Sequence, residues 1–146
     1  QFGMMGRIGE AVREKAGLAY YAQSELGSGL GPTTWQVFAG VNPKNLKKAI
    51  ALILEELKRF STELVSEEEL ADVRSALVGR LPLSLETNAG TASALLNLER
   101  YQRDLDYIRQ LPGKFAAVTR EDILRVAQTY WQLDNLVIAS AGVALS

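Results

Sequence analysis

The 146 residues include no histidine and no cysteine, and this double absence limits both what can hold the fold together and what chemistry the chain can perform. Without cysteine there are no disulfides, so the fold has to rest on the burial of apolar side chains. Most transition-metal sites and the Ser-His-Asp and Cys-His nucleophile systems are excluded as well. Hydrophobic residues make up 47% of the chain and charged residues 23%, which is enough apolar material for one globular domain.

The charges are almost balanced, with 16 basic and 17 acidic residues and a formal net charge of -1. This balance gives no electrostatic case for binding nucleic acid or an anionic membrane surface. The longest apolar run, around residues 49–54, is far shorter than the roughly 20 residues that a membrane span needs. We therefore expect no nucleic-acid partner and no membrane span.

The first part of the sequence predicts a helix followed by a β-hairpin. Residues 4–15 carry an apolar stripe at helical spacing, which consists of Met4, Met5, Ile8, Ala11 and Val12. Gly17 stands where a left-handed residue ends a helix. Residues 18–25 and 33–41 read as strands, joined by a glycine-rich loop at residues 27–32. On a regular strand, the neighbours Tyr20 and Tyr21 lie on opposite faces.

Helices dominate the middle of the chain. Asn42 and Pro43 are an N-cap and a first helical residue, and they precede a long helix to about Leu64. Its predicted core stripe is Leu46, Ile50, Ile53, Leu54, Leu57 and Leu64. Ser66 and Glu69 match a capping box at the start of the next helix. Its inward residues are Leu70, Val73, Leu77 and Leu81, and Pro82 is expected to kink or end it.

The last third predicts further helices and one strand. A helix is expected over residues 88–105, and a shorter element over 107–118 is expected to break around Pro112 and Gly113. Thr119 caps a last helix, whose apolar residues are Ile123, Val126, Ala127 and Tyr130. Residues 136–139 (Leu-Val-Ile-Ala) form a continuous apolar run that reads as a buried strand.

These elements predict an α+β fold in one domain over residues 1–146, with an antiparallel sheet and several helices packed on one of its faces. The count is about three strands and five helices. Three strands are few for so much helix. We therefore expect the sheet to be completed by strands that precede Gln1 or by a partner, and a homodimer of this chain is one such arrangement.

Several motifs have two readings. Arg13 and Tyr20, seven residues apart, could be an ordinary helix-terminal cation and an ordinary strand aromatic, and Tyr21 reads as packing. The glycines of residues 6–9 and 27–31 resemble a phosphate loop only weakly, because no Gly-Lys-Ser/Thr follows them. The acidic run of residues 67–69 could attract a hard cation, but a helix start explains it. Trp35, Trp131 and Tyr130 occupy apolar periodic positions and are assigned to the core.

The segment Gly6-Arg7-Ile8-Gly9-Glu10-Ala11-Val12-Arg13-Glu14-Lys15-Ala16-Gly17-Leu18-Ala19-Tyr20 closely resembles a stretch of the M16 zinc metallopeptidases, the relatives of pitrilysin and mitochondrial processing peptidase. The resemblance continues through Phe38-Ala39-Gly40-Val41-Asn42-Pro43 and the long helix. It reappears in Ser66-Glu67-Glu68-Glu69-Leu70, in Leu83-Ser84-Leu85-Glu86-Thr87 and in Val118-Thr119-Arg120-Glu121-Asp122-Ile123. Because these blocks follow one another in order, the resemblance covers essentially the whole chain.

The resemblance implies a division of labour between two similar domains or subunits. In this family one half carries an inverted His-x-x-Glu-His zinc motif, and the other, metal-free half supplies an Arg and a Tyr seven positions apart. Arg13 and Tyr20 match that pair, and the zinc motif has no counterpart in a chain without histidine. The chain therefore looks like the C-terminal, zinc-free domain, incomplete at its start. No cofactor is expected in it, and zinc is expected on the partner domain.

The implied function is to bind an extended or unfolded peptide opposite the zinc. Tyr20 would donate a hydrogen bond to the carbonyl oxygen on which negative charge develops, and Arg13 would contact substrate carbonyls nearby. Neither residue is a nucleophile, so the chain is expected to be inactive alone. Two alternatives stay open: a non-catalytic M16-like scaffold subunit, and an unrelated ligand-binding module. The resemblance leaves open whether the compartment is the bacterial cytoplasm or the periplasm.

Overall fold

The computed structural model describes residues 6–142, which divide into two compact units. The first combines residues 6–63 with 124–142, and the second is formed by residues 64–123. No helix among residues 6–142 is long and apolar enough to cross a membrane. The prediction of one domain over residues 1–146 stays a prediction.

The first unit begins with a helix, a β-hairpin and a second helix, in the predicted order. Helix α1 starts as an α-helical turn and continues as a π-helix, over Arg7–Gly9 and Glu10–Lys15. It is followed by strands β1, Ala19–Leu26, and β2, Trp35–Val41. After a 3-10 turn at Pro43–Asn45 comes helix α2, Leu46–Thr62. Gly17, with φ +62°, ends α1 as predicted.

The core of the first unit lies between the hairpin and the two helices. Val12 from α1, Ala22 from β1 and Ala49 from α2 are buried, and Val12 is fully so. Partly buried apolar residues from all four elements surround them: Ile8, Ala11, Leu18, Ala19, Ala39, Val41, Leu52 and Ile53. The predicted stripe of α1 is thereby confirmed at Ile8, Ala11 and Val12, while Met4 and Met5 lie outside the described residues.

Helix α2 starts as predicted but ends slightly earlier. The Asn42 side chain accepts a hydrogen bond from the Lys44 N–H, at 3.1 Å. Leu57 is buried, at 4% exposure, so the predicted core face is confirmed there. Leu64 is 40% exposed and lies beyond the end of the helix at Thr62, so its assignment to the stripe was wrong. The backbone leaves helical geometry at Glu63, and the helical period no longer applies after that residue.

The second unit is helical. Its helices are α3, Glu67–Ser84, α4, Asn88–Arg100, and α5, Asp106–Ala117. Hydroxyl oxygens cap two of them, since Ser66 Oγ accepts from the Glu69 N–H and Thr87 Oγ1 from the Gly90 N–H. Val65, Leu70 and Leu98 are the buried apolar side chains of this unit.

The two prolines of this unit differ in their effect, since α3 ends just after Pro82 whereas α5 continues through Pro112. Pro82 lies within the last turn of α3, which ends at Ser84, and Pro112 lies inside a continuous α5. The predicted break around Pro112 was therefore wrong. A proline removes its own N–H from the helix and its ring crowds the carbonyl four residues back. Helix α5 packs against α3, and this packing supports α5 across Pro112. Helix α4 also ends at Arg100, earlier than residue 105, followed by Gln102 at φ 51°.

Helix α6, Arg120–Tyr130, precedes a 3-10 turn at Leu133–Asn135, and residues 136–139 then follow without forming a strand. Thr119 caps α6 as predicted, because its hydroxyl accepts from the Asp122 N–H at 3.1 Å. The buried strand predicted for 136–139 was wrong, since Val137 is 95% exposed. The described residues thus hold six helices and a two-stranded antiparallel sheet, and the α+β class is confirmed.

Candidate functional site

Arg13 lies on the π-helical part of α1, one residue after the fully buried Val12. The N–H of Ala16 donates to the carbonyl of Ala11, five residues back, and the N–H of Leu18 donates to that of Val12, six residues back. A regular helix bonds four residues back, so the last turn of α1 is widened. Arg13 is exposed, and among residues 6–142 its guanidinium has no hydrogen-bond or ion-pair partner.

Tyr20 lies at a β-bulge. Ala19 pairs with Val41 and Tyr21 pairs with Gly40, so Tyr20 is the one extra residue on β1. The bulge has a packing consequence, because Ala19 and Ala22 both reach the core although three positions separate them. The Tyr20 side chain is left 90% exposed. Bulges re-aim a side chain in this way at sheet edges, at barrel rims and next to active sites.

Tyr21 lies off the core face as well, against the backbone of Gly40. A Cβ atom added at Gly40 would overlap the Tyr21 ring and lie 2.9 Å from its Cδ1. Tyr21 is 40% exposed. The strict alternation that was predicted to place the two tyrosines on opposite faces is therefore interrupted at Tyr20. The assignment of Tyr21 to packing agrees with its contact.

An ion pair accompanies Arg13 on the same helix. Lys15 Nζ lies 2.9 Å from Glu10 Oε1, and both side chains are largely exposed. The hydrogen bond from Lys15 and its positive charge hold the pKa of the Glu10 carboxyl below its usual value, and the charge of Arg7 lowers that pKa further. Glu10 is the nearest acidic residue before Arg13 in the sequence, and its carboxylate is thus already paired with Lys15.

The part of the chain that the structure describes does not fit a metal site. No group of three or more His, Cys, Asp or Glu residues comes together within residues 6–142. In the acidic run of residues 67–69, the Glu69 N–H bonds the Ser66 cap, and Glu67 pairs with Arg120 at 3.2 Å. A helix start therefore accounts for this run, as predicted from the capping box. The glycine loop of residues 27–32 connects the two strands of the hairpin.

An aromatic stack at the loop end of the hairpin was not predicted. Trp35 stacks on Trp131 at 4.6 Å between ring centroids, and Phe60 lies 5.0 Å from Trp131. Arg7 completes the row, 5.2 Å above the Phe60 ring. Trp35 and Trp131 are half-buried, whereas Tyr130 is 75% exposed, so its assignment to the core was wrong. Nothing in the sequence pairs residues 35 and 131, which only the tertiary fold brings together.

A shallow cavity of about 470 Å³ lies beside Trp131. Its lining residues are Ser61, Gln128, Trp131, Gln132, Leu133, Asp134 and Asn135. Two of its amide side chains are already bonded within the unit, since Gln128 donates to the Ser61 carbonyl and Asn135 to Gln132. Arg13 and Tyr20 are absent from its lining, so the predicted pair does not belong to this cavity.

Comparison with known proteins identifies relatives for most of the chain. Residues 1–77 match the family described as the peptidase M16 inactive domain. A probable inactive metalloprotease of Bacillus subtilis, YmfF, is 29% identical over 124 residues, which cover 85% of this chain and 28% of that protein. An uncharacterized zinc protease of Streptomyces coelicolor is 25% identical over 126 residues, which cover 86% of this chain and 28% of that protein. The chain thus spans less than a third of the length of these relatives.

Solved structures share the fold. A peptidase M16 inactive domain from Pseudomonas fluorescens matches with a TM-score of 0.80 and 20% identity, over 90% of this chain and 31% of that one. A protease from Helicobacter pylori matches with a TM-score of 0.68 and 24% identity, over 88% of this chain and 31% of that one. Both likenesses support the α+β architecture described above.

Proposed function

Because the chain belongs to the peptidase M16 inactive-domain family, we propose that it is the zinc-free, substrate-binding half of an M16-type metalloendopeptidase. In this proposal it acts with a zinc-bearing M16 domain, fused or separate, on peptides or unfolded polypeptides. The sequence has no histidine or cysteine, and the described residues 6–142 bring no three acidic residues together, so the metal is assigned to the partner domain. Zinc there would activate the water that attacks the peptide bond.

The observation that carries the proposal is the exposure of Tyr20. A bulge leaves its phenol 90% exposed, and within residues 6–142 its hydroxyl has no hydrogen-bond partner. A tyrosine with no packing role on its own unit is suited to contact a substrate. The phenol would donate a hydrogen bond to the substrate carbonyl oxygen, which gains negative charge in the transition state.

Arg13 would act beside it as a binding residue. Its guanidinium is exposed and unpaired among the described residues, and it carries a permanent charge with forked donors. The buried Val12 and the left-handed Gly17 fix the backbone on either side. Arg13 would therefore hold substrate carbonyls, while Tyr20 stabilises the charge that develops during the reaction.

The test is hydrolysis of an internally quenched peptide by this chain mixed with a zinc-bearing M16 domain. Tyr20→Phe removes only the phenolic donor, and we expect kcat to fall by about 100-fold, as for other oxyanion donors. Arg13→Ala removes a charged donor, and we expect KM to rise by about 10-fold. The chain alone should show no turnover.

Matched substitutions separate these roles from general effects of mutation. Tyr130→Phe removes the hydroxyl of another exposed tyrosine of the same unit, and Arg80→Ala removes an exposed arginine on α3. Both controls should keep the activity of the unmodified chain. If Tyr20→Phe and Arg13→Ala also kept it, the assignment of the pair would be wrong.

A second candidate is a non-catalytic scaffold subunit. It is favoured by one relative, which is itself described as a probable inactive metalloprotease. The two functions differ in the same assay: a scaffold would bind the zinc-bearing domain without altering its hydrolysis of peptide. Size-exclusion chromatography of the mixture distinguishes this outcome from a failure to associate.

A further inference from the structure

The ion pair on α1 has an unusual spacing. Glu10 and Lys15 are five residues apart, and their charged atoms lie 2.9 Å from each other. On an α-helix the side chains that meet are three or four residues apart. The five-residue spacing corresponds instead to the widened turn over Glu10–Lys15, where the backbone bond from Ala16 to Ala11 has the same span. The π-helical winding thus allows Lys15 to reach Glu10.

Arg13 is three residues from Glu10, the spacing at which an acid and an arginine pair on a regular α-helix, and in the widened turn the long arginine side chain has to span a greater separation to reach that acid. The regular helices α2 and α5 show such pairs, with Arg59 at 2.9 Å from Glu56 and Arg109 at 3.5 Å from Asp106. Glu10 nevertheless bonds Lys15, and Arg13 has no partner within residues 6–142. Lys15 and Arg13 both compete for the Glu10 carboxylate, on which the charge of Arg7 also acts, and in the structure the lysine bonds it.

We propose that Lys15 is a positioning residue, which holds the Glu10 carboxylate so that Arg13 stays unpaired and available to a substrate carbonyl. This inference rests on the substrate-binding role proposed for Arg13. Lys15 itself contacts no substrate. It acts by occupying the acid that would otherwise pair with the arginine, and the π-helical turn brings the lysine within reach of that acid.

The ion pair is exposed, so its effect should be modest and sensitive to salt. The Lys15 side chain is 73% exposed and that of Glu10 50%. Exposed pairs of this kind change equilibria by about two- to five-fold. The competition between the cations should also weaken at high ionic strength, because salt screens exposed charges.

The experiment is a double-mutant cycle in the same peptide assay, with the 146-residue chain and the zinc-bearing domain. Lys15→Met keeps the aliphatic stem but releases Glu10, and we expect KM to rise about two- to five-fold with kcat unchanged. Adding Glu10→Gln removes the competing acid, so the double variant should recover the original KM. Lys47→Met, on the exposed side of α2, is the control and should change neither constant.

A second readout does not depend on activity. Carboxyl carbon NMR gives the pKa of Glu10 in Lys15→Met and in Lys15→Met with Arg13→Ala. A lower pKa in the variant that keeps Arg13 would show that the arginine takes the released acid, and equal values would overturn the inference.

The kinetic outcomes separate the two proposals. If Arg13→Ala raised KM but Lys15→Met did not, only the role of Lys15 would be refuted. If Arg13→Ala had no effect, the substrate-binding role itself would fail, whatever the NMR titration showed about the pairing.

Discussion

The hairpin of β1 and β2 and the segment of residues 136–139 belong to the same compact unit and are both rich in apolar side chains, but they have opposite environments. Ala22 of the hairpin is 0% exposed, and its backbone is paired with Ala39. Val137 of the segment is 95% exposed and pairs with no strand among residues 6–142. Both regions are apolar in sequence, but within the described part of the chain only the hairpin has a hydrogen-bonded neighbouring strand.

The contrast shows what turns an apolar run into a strand. A strand needs a partner for its N–H and C=O groups as well as a surface on which to bury its side chains. The hairpin has both, because its loop returns the chain to form the partner strand and the helices α1 and α2 cover one face. Residues 136–139 have neither in the part of the chain that is described.

The largest effect should come from Val12, on which the hairpin packs. Val12→Ala removes two methyl groups from a fully buried site, and we expect the free energy of unfolding to fall by about 2 kcal/mol. Urea denaturation followed by circular dichroism measures this change. A loss below about 0.5 kcal/mol would mean that the hairpin does not depend on this core.

A smaller effect is expected at Gly40, on the outer face of the hairpin. A methyl group there displaces the Tyr21 ring, so Gly40→Ala should lower the free energy of unfolding by about 1 kcal/mol. The backbone needs no change, because the ring is partly exposed and can rotate away. In a Tyr21→Ala background the same substitution should be neutral or stabilising. Equal costs in the two backgrounds would show that the ring is not the obstacle.

The elements with local signals were predictable from the sequence. Gly17 ends α1, Asn42 and Ser66 cap their helices, and the α+β class follows from the order of the elements. Each of these signals acts over a few residues, which the sequence displays directly. The strand predicted at residues 136–139 failed because its partner would have to come from a distant part of the chain.

The sequence suggests residues for the candidate site, whose role stays a prediction, but it does not indicate the geometry around them. The resemblance to the M16 family identified Arg13 and Tyr20 as the pair of interest. The bulge that exposes Tyr20 depends on the register between β1 and β2, and the π-helical turn around Arg13 depends on how α1 packs. Neither feature has a signature within a few residues, and the stack of Trp35 on Trp131 joins positions that are far apart.

The smallest effect on the free energy of unfolding should be found at Val137. Val137 and Val12 form a matched pair, since one valine lies in the exposed segment and the other in the core on which the hairpin packs. Val137→Ala removes the same two methyl groups as Val12→Ala, but from a side chain that is 95% exposed. The free energy of unfolding should therefore change by less than about 0.5 kcal/mol in the same urea titration. A loss close to that of Val12→Ala would show that residues 136–139 are buried in solution, against a neighbour that residues 6–142 do not supply. The difference between the two valines thus measures whether an apolar run without a strand partner contributes to the fold.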